Sequence, residues 1–210
     1  MQTTYKVFQI VDLSKKQAQT VCGSLTTTSK MPCKSYSLPT ESCKTGYNMA
    51  KIKGSICNSC YADKGNYARY ANGIKPAQFA RLDAIWQALD NDYAAALWIS
   101  GMVSLIGKDN YFRWHSSGDL QSLEHLELIV RVCEQTPGCK HWLPTREYGI
   151  VKAYIAKHGK LPGNLTIRLS AMYPDQPVKI PASLQGIKGI TASNVHTAKP
   201  IGEACKAPNQ

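Results

Sequence analysis

The sequence predicts an α/β protein built as an open, half β/α barrel of parallel strands, preceded by a cysteine-rich loop and two helices. Three observations carry that expectation. From residue 108 onward, short β-prone runs alternate with amphipathic stretches of helical length, the pattern of βαβ units with right-handed crossovers. Between residues 22 and 62 the chain is rich in Gly, Pro, Ser and Thr and almost without periodicity, yet it holds five of the eight cysteines. A complete barrel takes about 200 residues at the least and more usually about 250, and only about half of these 210 residues alternate.

The elements follow in order. YKVFQIV (5–11) alternates and reads as a strand. Residues 22–62 read as one long loop, a length that marks function or disorder; metal binding can order a segment that buries little apolar surface. Pro76 suits the first turn of a helix, along which Phe79, Leu82, Ile85, Trp86 and Leu89 recur at helical spacing. Asp92 is placed to cap a second helix through AAALWISGMVSLI. These apolar stripes, Trp86 and Trp98 included, read as core. YFRWHSSGD (111–119), KHWLPTRE (140–147), NLTIRLSAMYP (164–174) and IKGITASNVHT (187–197) read as strands. Between them lie SLEHLELIVRVCEQTPG (122–138), with Ser122, Glu124 and Glu127 at its start and Pro137-Gly138 at its end, and YGIVKAYIAKHG (148–159), stopped by Gly159. The whole reads as a single domain: 1–62 strand and metal loop, 63–107 helices, 108–200 half barrel, 201–210 tail.

Charge and composition bound the function. The net charge of +11 and pI near 9.3 favour nucleic acid or another anionic ligand as partner. The lysines are scattered, which suits plain solubility equally well. No apolar run is long enough to span a membrane. The N-terminus lacks the basic start and apolar core of a signal peptide, so the expected compartment is the cytoplasm, where thiols stay reduced.

Ligands of parallel α/β sheets bind beyond the carboxyl ends of the strands. Those ends carry Ser117, Gly118 and Asp119, then Thr145 and Arg146, then Arg168 and Ser170. These seven are the candidate cofactor- or substrate-binding residues. Taken singly, Ser117 and Asp119 read equally well as helix caps, and Arg168 as an ion-pair partner of Asp119 or Glu147. His125, His141 and His158 read as ordinary core or surface histidines.

Cys43, Cys57 and Cys60 form a C-x13-C-x2-C arrangement. Three such thiolates suit a [4Fe–4S] cluster, which leaves one iron open to a ligand, or zinc, which in a structural site takes a fourth ligand from Cys22, Cys33, Cys205 or a histidine. With zinc, Tyr61, Tyr67, Arg69 and Tyr70 would form an aromatic and basic strip for stacking on bases and meeting phosphates. Cys133 and Cys139 read as buried small hydrophobes.

Several blocks, KMP (30–32), SLPTESCKTG (37–46), GSICNSCYADKGNY (54–67), YFRWHSSGDLQSLEHL (111–126) and WLPTRE (142–147), resemble the signature blocks of the bacteriophage gene product 88 proteins. The resemblance covers most of the chain and implies a phage-encoded protein acting in the bacterial cytoplasm. The C-x2-C-Y-A block, the strand ending in Ser-Gly-Asp and the strand ending in Thr-Arg also resemble phage-encoded radical S-adenosylmethionine-like proteins. That likeness implies a [4Fe–4S] cluster on Cys43, Cys57 and Cys60, and S-adenosylmethionine bound with its amino group near Ser117, Gly118 and Asp119. The cysteine spacing departs from the C-x3-C-x2-C of those enzymes, and Ser-Gly-Asp stands where they carry Gly-Gly-Glu. The phage likeness also implies a cysteine-rich tail, of which Cys205 in EACKAPNQ would be the remnant of a second metal-binding segment.

Overall fold

A computed structural model describes residues 11–27, 31–200 and Glu203. The strand expected over 5–11 and the tail with Cys205 fall essentially outside the described residues. Six strands form one mixed sheet in sequential order: β1 (Thr26–Thr27), β2 (Lys34–Tyr36), β3 (Tyr111–Trp114), β4 (Lys140–Thr145), β5 (Leu165–Ser170) and β6 (Ile190–Ser193). β1 runs antiparallel to β2, with Thr26 opposite Ser35. All later pairings are parallel: Ser35 beside Arg113, Arg113 beside Trp142, Pro144 beside Arg168, and Ser170 beside Ser193. Every strand from β2 onward therefore ends at the same edge. Among the described residues the sheet is open, with β1 and β6 as its borders.

The alternation expected after residue 108 is present. β3 leads through α6 (Leu123–Gln135) to β4, and β4 through α7 (Tyr148–His158) to β5. Ser122 caps α6, accepting the His125 N–H at 3.1 Å. Gly159 ends α7 in the left-handed conformation (φ 75°) that glycine adopts without strain. Glu127, expected near the start of α6 for its charge, instead reaches α7, where it meets Lys157 at 2.8 Å and His158 at 2.7 Å.

The N-terminal half departs from the expectation in four places. First, residues 22–62 are not one loop. They contain β1, β2, a short helix α2 (Thr45–Ala50) and turns at Thr40–Ser42, Cys57–Ser59 and Tyr61–Asp63. β2 reads Lys-Ser-Tyr, too short and polar to show periodicity, and pairing with β3 makes it a strand. Second, α1 (Lys15–Cys22) precedes it, started by a capping box between Ser14 and Gln17. Third, after α3 (Gly65–Arg69), α4 spans Ala71–Asp90, so Pro76 lies in its second turn rather than its first. Fourth, α5 (Asp92–Ile106) is capped by Asn91, whose side chain accepts the Ala94 N–H at 2.9 Å; Asp92 is its first residue.

Strand alternation and the helices build one core. Phe112, Trp114, Leu143, Leu165, Ile167 and Leu169 face the helical layer and are almost fully buried. Trp98 of α5 stacks on Trp114 with ring centroids 6.3 Å apart, and Tyr36 meets Trp98 edge-on at 5.8 Å. Each buried side chain of this size contributes about 1.5–3 kcal/mol. Trp98 is core as expected, but Trp86 and Phe79 are 43% and 41% exposed. α4 turns Ala84, Ile85 and Ala88 inward, which leaves positions 79 and 86 together on its outer side. Among the described residues, no helix is long and apolar enough to cross a membrane.

Candidate functional site

The strand-end motifs do their first work in holding the chain together. Gly118 has φ 75°, and a Cβ there would stand 2.5 Å from the Leu38 Cβ and 2.9 Å from the Leu38 carbonyl. Leu38 donates its N–H to the Ser117 carbonyl at 2.9 Å. The Ser117 hydroxyl donates to the Leu38 carbonyl at 2.9 Å and accepts from Gln78 Nε2 at 2.7 Å. Ser117 and Gly118 thus knot the end of β3 to the segment that leads into the cysteines.

Asp119 is buried and joins β3 to β4. Its Oδ1 accepts from the Thr145 hydroxyl at 2.5 Å and the Leu120 N–H at 2.8 Å, and its Oδ2 from the Arg146 N–H at 2.9 Å. Burial pushes the carboxyl up to about 6; these three hydrogen bonds oppose the shift and the nearby Glu147 adds to it. The Thr145 hydroxyl is used twice, since it also accepts the Glu147 N–H at 3.0 Å. The expected pairing of Arg168 with Asp119 or Glu147 is not made. Arg146 Nε instead donates to the Ala171 carbonyl at 2.9 Å, binding β4 to the end of β5.

Glu147, expected as a partner of Arg168, and Gln121, which sequence reasoning did not single out, strap the first cysteine in place. Glu147 accepts both the N–H and the hydroxyl of Thr45, at 2.7 and 2.8 Å. Lys44 Nζ donates to the Gln121 carbonyl at 2.5 Å, and Gln121 Nε2 reaches Ser42 Oγ at 3.2 Å. Residues 42, 44 and 45 on either side of Cys43 are therefore fixed to the strand ends. The second cysteine turn is tied by the Ile56 N–H to the Met172 carbonyl at 3.0 Å. Thr40 Oγ1 donates to Asp63 at 2.5 Å and links the two turns. The LQS and TRE motifs carry these contacts; their polar residues directly follow the strands, and that was the available signal.

The three thiols meet at a cavity of about 450 Å³ above the strand ends, lined also by Asp119, Thr145, Arg146 and Ser170. A Cβ on Gly46 would stand 3.0 Å from Cys43 Cβ, 3.6 Å from Cys43 Sγ and 3.7 Å from Cys57 Sγ, so the two sulfurs lie beside one glycine. Burial pushes the Cys43 thiol well up, with Asp119, Cys60 and Cys57 adding to the shift. Burial also raises Cys57 and Cys60, and the Arg146 cation opposes it at both. Thiols that are buried and discourage one another's ionisation become thiolates when a metal cation supplies positive charge. Among the described residues, no three His, Cys, Asp or Glu side chains stand within reach of one metal ion.

Cys22, one expected fourth ligand, is buried in the core against the Trp98 carbonyl, 3.3 Å away. Cys33 lies near Asp109 and Arg113 at the start of β2, away from the cavity. Cys133 and Cys139 are buried as expected. Tyr61 lines the cavity, donates its hydroxyl to the Ser116 carbonyl and meets Tyr67 edge-on at 6.1 Å. Arg69 and Tyr70 are exposed outside it. The aromatic strip is thereby split between cavity and surface. His115, at the strand end where the sequence places polar residues, is buried at φ 53° against His125, and neither ring nitrogen has a partner among the described residues.

The fold and site define a mixed α/β protein whose parallel strand ends carry a three-cysteine cavity. The model of the family described as Gene product 88 matches residues 10–204, and the chain belongs to that family. No curated protein and no solved structure matches it, so the likeness to S-adenosylmethionine proteins gains no support from comparison.

Proposed function

We propose that this protein binds a [4Fe–4S] cluster through Cys43, Cys57 and Cys60 and presents its remaining iron to a ligand in the strand-end cavity. The observation that carries this reading is the meeting of three thiols, delivered by two separately strapped turns, beside the Arg146 cation. Three thiols leave one iron of a [4Fe–4S] cluster open to a ligand, whereas structural zinc takes a fourth protein ligand, and neither Cys22 nor Cys33 lines the cavity.

The sequential, mostly parallel strand order supports the half-barrel reading of the sheet. S-adenosylmethionine is the first ligand to test at the open iron. In this reading its carboxylate faces the Arg146 guanidinium. Asp119 keeps the Arg146 backbone in place rather than serving chiefly as acceptor for the amino group, because three protein donors already use it. Ser117 and Gly118 shape the cavity wall.

The test is iron and sulfide content, with a visible spectrum, on protein purified without oxygen. About four irons and four sulfides per chain, a brown colour and loss of all three in Cys57→Ser support the reading. Zinc without colour overturns it and moves the function to a metal-stapled nucleic-acid-binding protein.

A further inference from the structure

Only one face of the sheet is core. The opposite face is half-buried and polar, carrying Arg113 on β3, Trp142 on β4 and Arg168 on β5. Arg113 pairs in register with Trp142, and Arg168 with Pro144, two residues further along β4. The Arg113 guanidinium lies over the Trp142 ring, 4.7 Å from its centroid, so it reaches from β3 over β4. Arg113, Trp142 and Pro144 line the same cavity as the three cysteines; Arg168, beside Pro144 on this face, is not among its lining residues.

Three donors on this face are buried without an acceptor among the described residues: Arg113 Nε, Trp142 Nε1 and Arg168 Nε. The ion pairs among the described residues involve neither arginine. Arg113 also acts on the Tyr61 phenol, whose ionisation it favours by its charge and by a side-chain hydrogen bond. A half-buried guanidinium with unused donors is costly to the folded chain unless an anion occupies it. The Arg113 Nε–H, the Trp142 Nε1–H and the Arg168 Nε–H on three adjacent strands offer donors and two cations to the several oxygens of a phosphoryl group. A cavity of about 450 Å³ is the size of a small-molecule site.

We propose that Arg113, Trp142 and Arg168 form a subsite for the phosphoryl group of a small organic phosphate, of nucleotide size, whose other end reaches the cysteine end of the cavity. This assigns a substrate class to the site described above; it rests on that cavity as a ligand site but not on the metal in it.

The test is calorimetric titration of the full chain with AMP and, separately, inorganic phosphate. AMP is expected to bind one per chain, and phosphate more weakly at the same site. Arg113→Gln and Arg168→Gln should each weaken AMP by about tenfold or more, the effect of losing a hydrogen bond to a charged group; circular dichroism confirms that each variant is folded. AMP binding is read on metal-free protein, which keeps this result separate from that of the cluster reading, and Lys152→Gln, exposed on α7 and outside the cavity lining, should bind AMP within about twofold of the parent. Absence of AMP and phosphate binding overturns the proposal, as does equal binding by the parent and both arginine variants. A single-stranded DNA 12-mer that binds the parent and both arginine variants alike, while AMP does not bind, places anion recognition on the outer surface and also overturns it.

Discussion

Gly118→Ala separates a cofactor-contacting glycine from one that the fold requires. Two costs add at this position. An alanine at φ 75° carries about 1–2 kcal/mol of left-handed strain. Its Cβ would stand 2.5 Å from the Leu38 Cβ and 2.9 Å from the Leu38 carbonyl, and the backbone there is held by paired hydrogen bonds to Ser117. Overpacking of this kind costs about 1–3 kcal/mol. The variant should therefore lose about 2–5 kcal/mol of stability and melt roughly 5–15 °C lower. Urea unfolding followed by tryptophan fluorescence reads this through the buried Trp98 and Trp114, as a lower midpoint at unchanged m-value. Gly149→Ala in α7 is the control: nothing lies within 4 Å of its Cβ, and it should be neutral or stabilising by about 0.5–1 kcal/mol. A loss at Gly118 below about 0.5 kcal/mol, with ligand binding nonetheless impaired, would refute the knot and restore a direct contact role.

Other changes test neighbouring parts. Glu147→Gln keeps the shape but weakens a charge-assisted pair of contacts to Thr45; about 1–2 kcal/mol of stability and part of the metal content should go, read by urea unfolding and iron analysis. Cys60→Ser should abolish iron binding while its far-ultraviolet dichroism matches the parent, because the turns are tied by other residues. His141 gives a pH signature. Its Nδ1 accepts from Trp114 Nε1 at 3.2 Å, and its Nε2 donates to Thr136 Oγ1, whose own hydrogen goes to the Val132 carbonyl. Protonation would set two donors against each other, and burial lowers the group to about 4 from an ordinary 6.5. Its contribution is full above pH 6.5 and lost as pH falls toward 4, up to about 3 kcal/mol. His141→Gln should flatten the stability-versus-pH curve across that window, and an unchanged slope would dismiss the assignment.

The second half of the fold is legible in the sequence because each element there carries its own local signal. Ser122 and Gly159 bound their helices, and apolar residues alternate along β4 and β5. β2 is illegible for the opposite reason: three residues become a strand only through partners 78 positions away, as Ser35 beside Arg113 shows. Trp86 misleads because a helical stripe gives spacing but not the angle at which the helix meets its neighbours. At the site, the three cysteines and six of the seven strand-end residues line one cavity, and Arg168 does not. Ser117, Gly118 and Asp119 line it while also engaged with Leu38, Thr145 and Arg146, contacts between segments far apart in the chain. Arg113 and Trp142 went unremarked because inward and outward positions of a half-buried strand differ only in what lies over them.

The straps around Cys43 and Cys57 bear on the life history of the molecule. In the smallest metalloproteins, metal capture and chain folding are one event, so a metal-starved cell makes only unfolded polypeptide. Here Glu147, Gln121, Lys44 and the Met172 carbonyl fix the turns by contacts in which no thiol takes part. On the proposed cluster reading, synthesis and maturation are then separate steps: the turns are in place before the inorganic component arrives, and its oxidative loss leaves them in place for refilling.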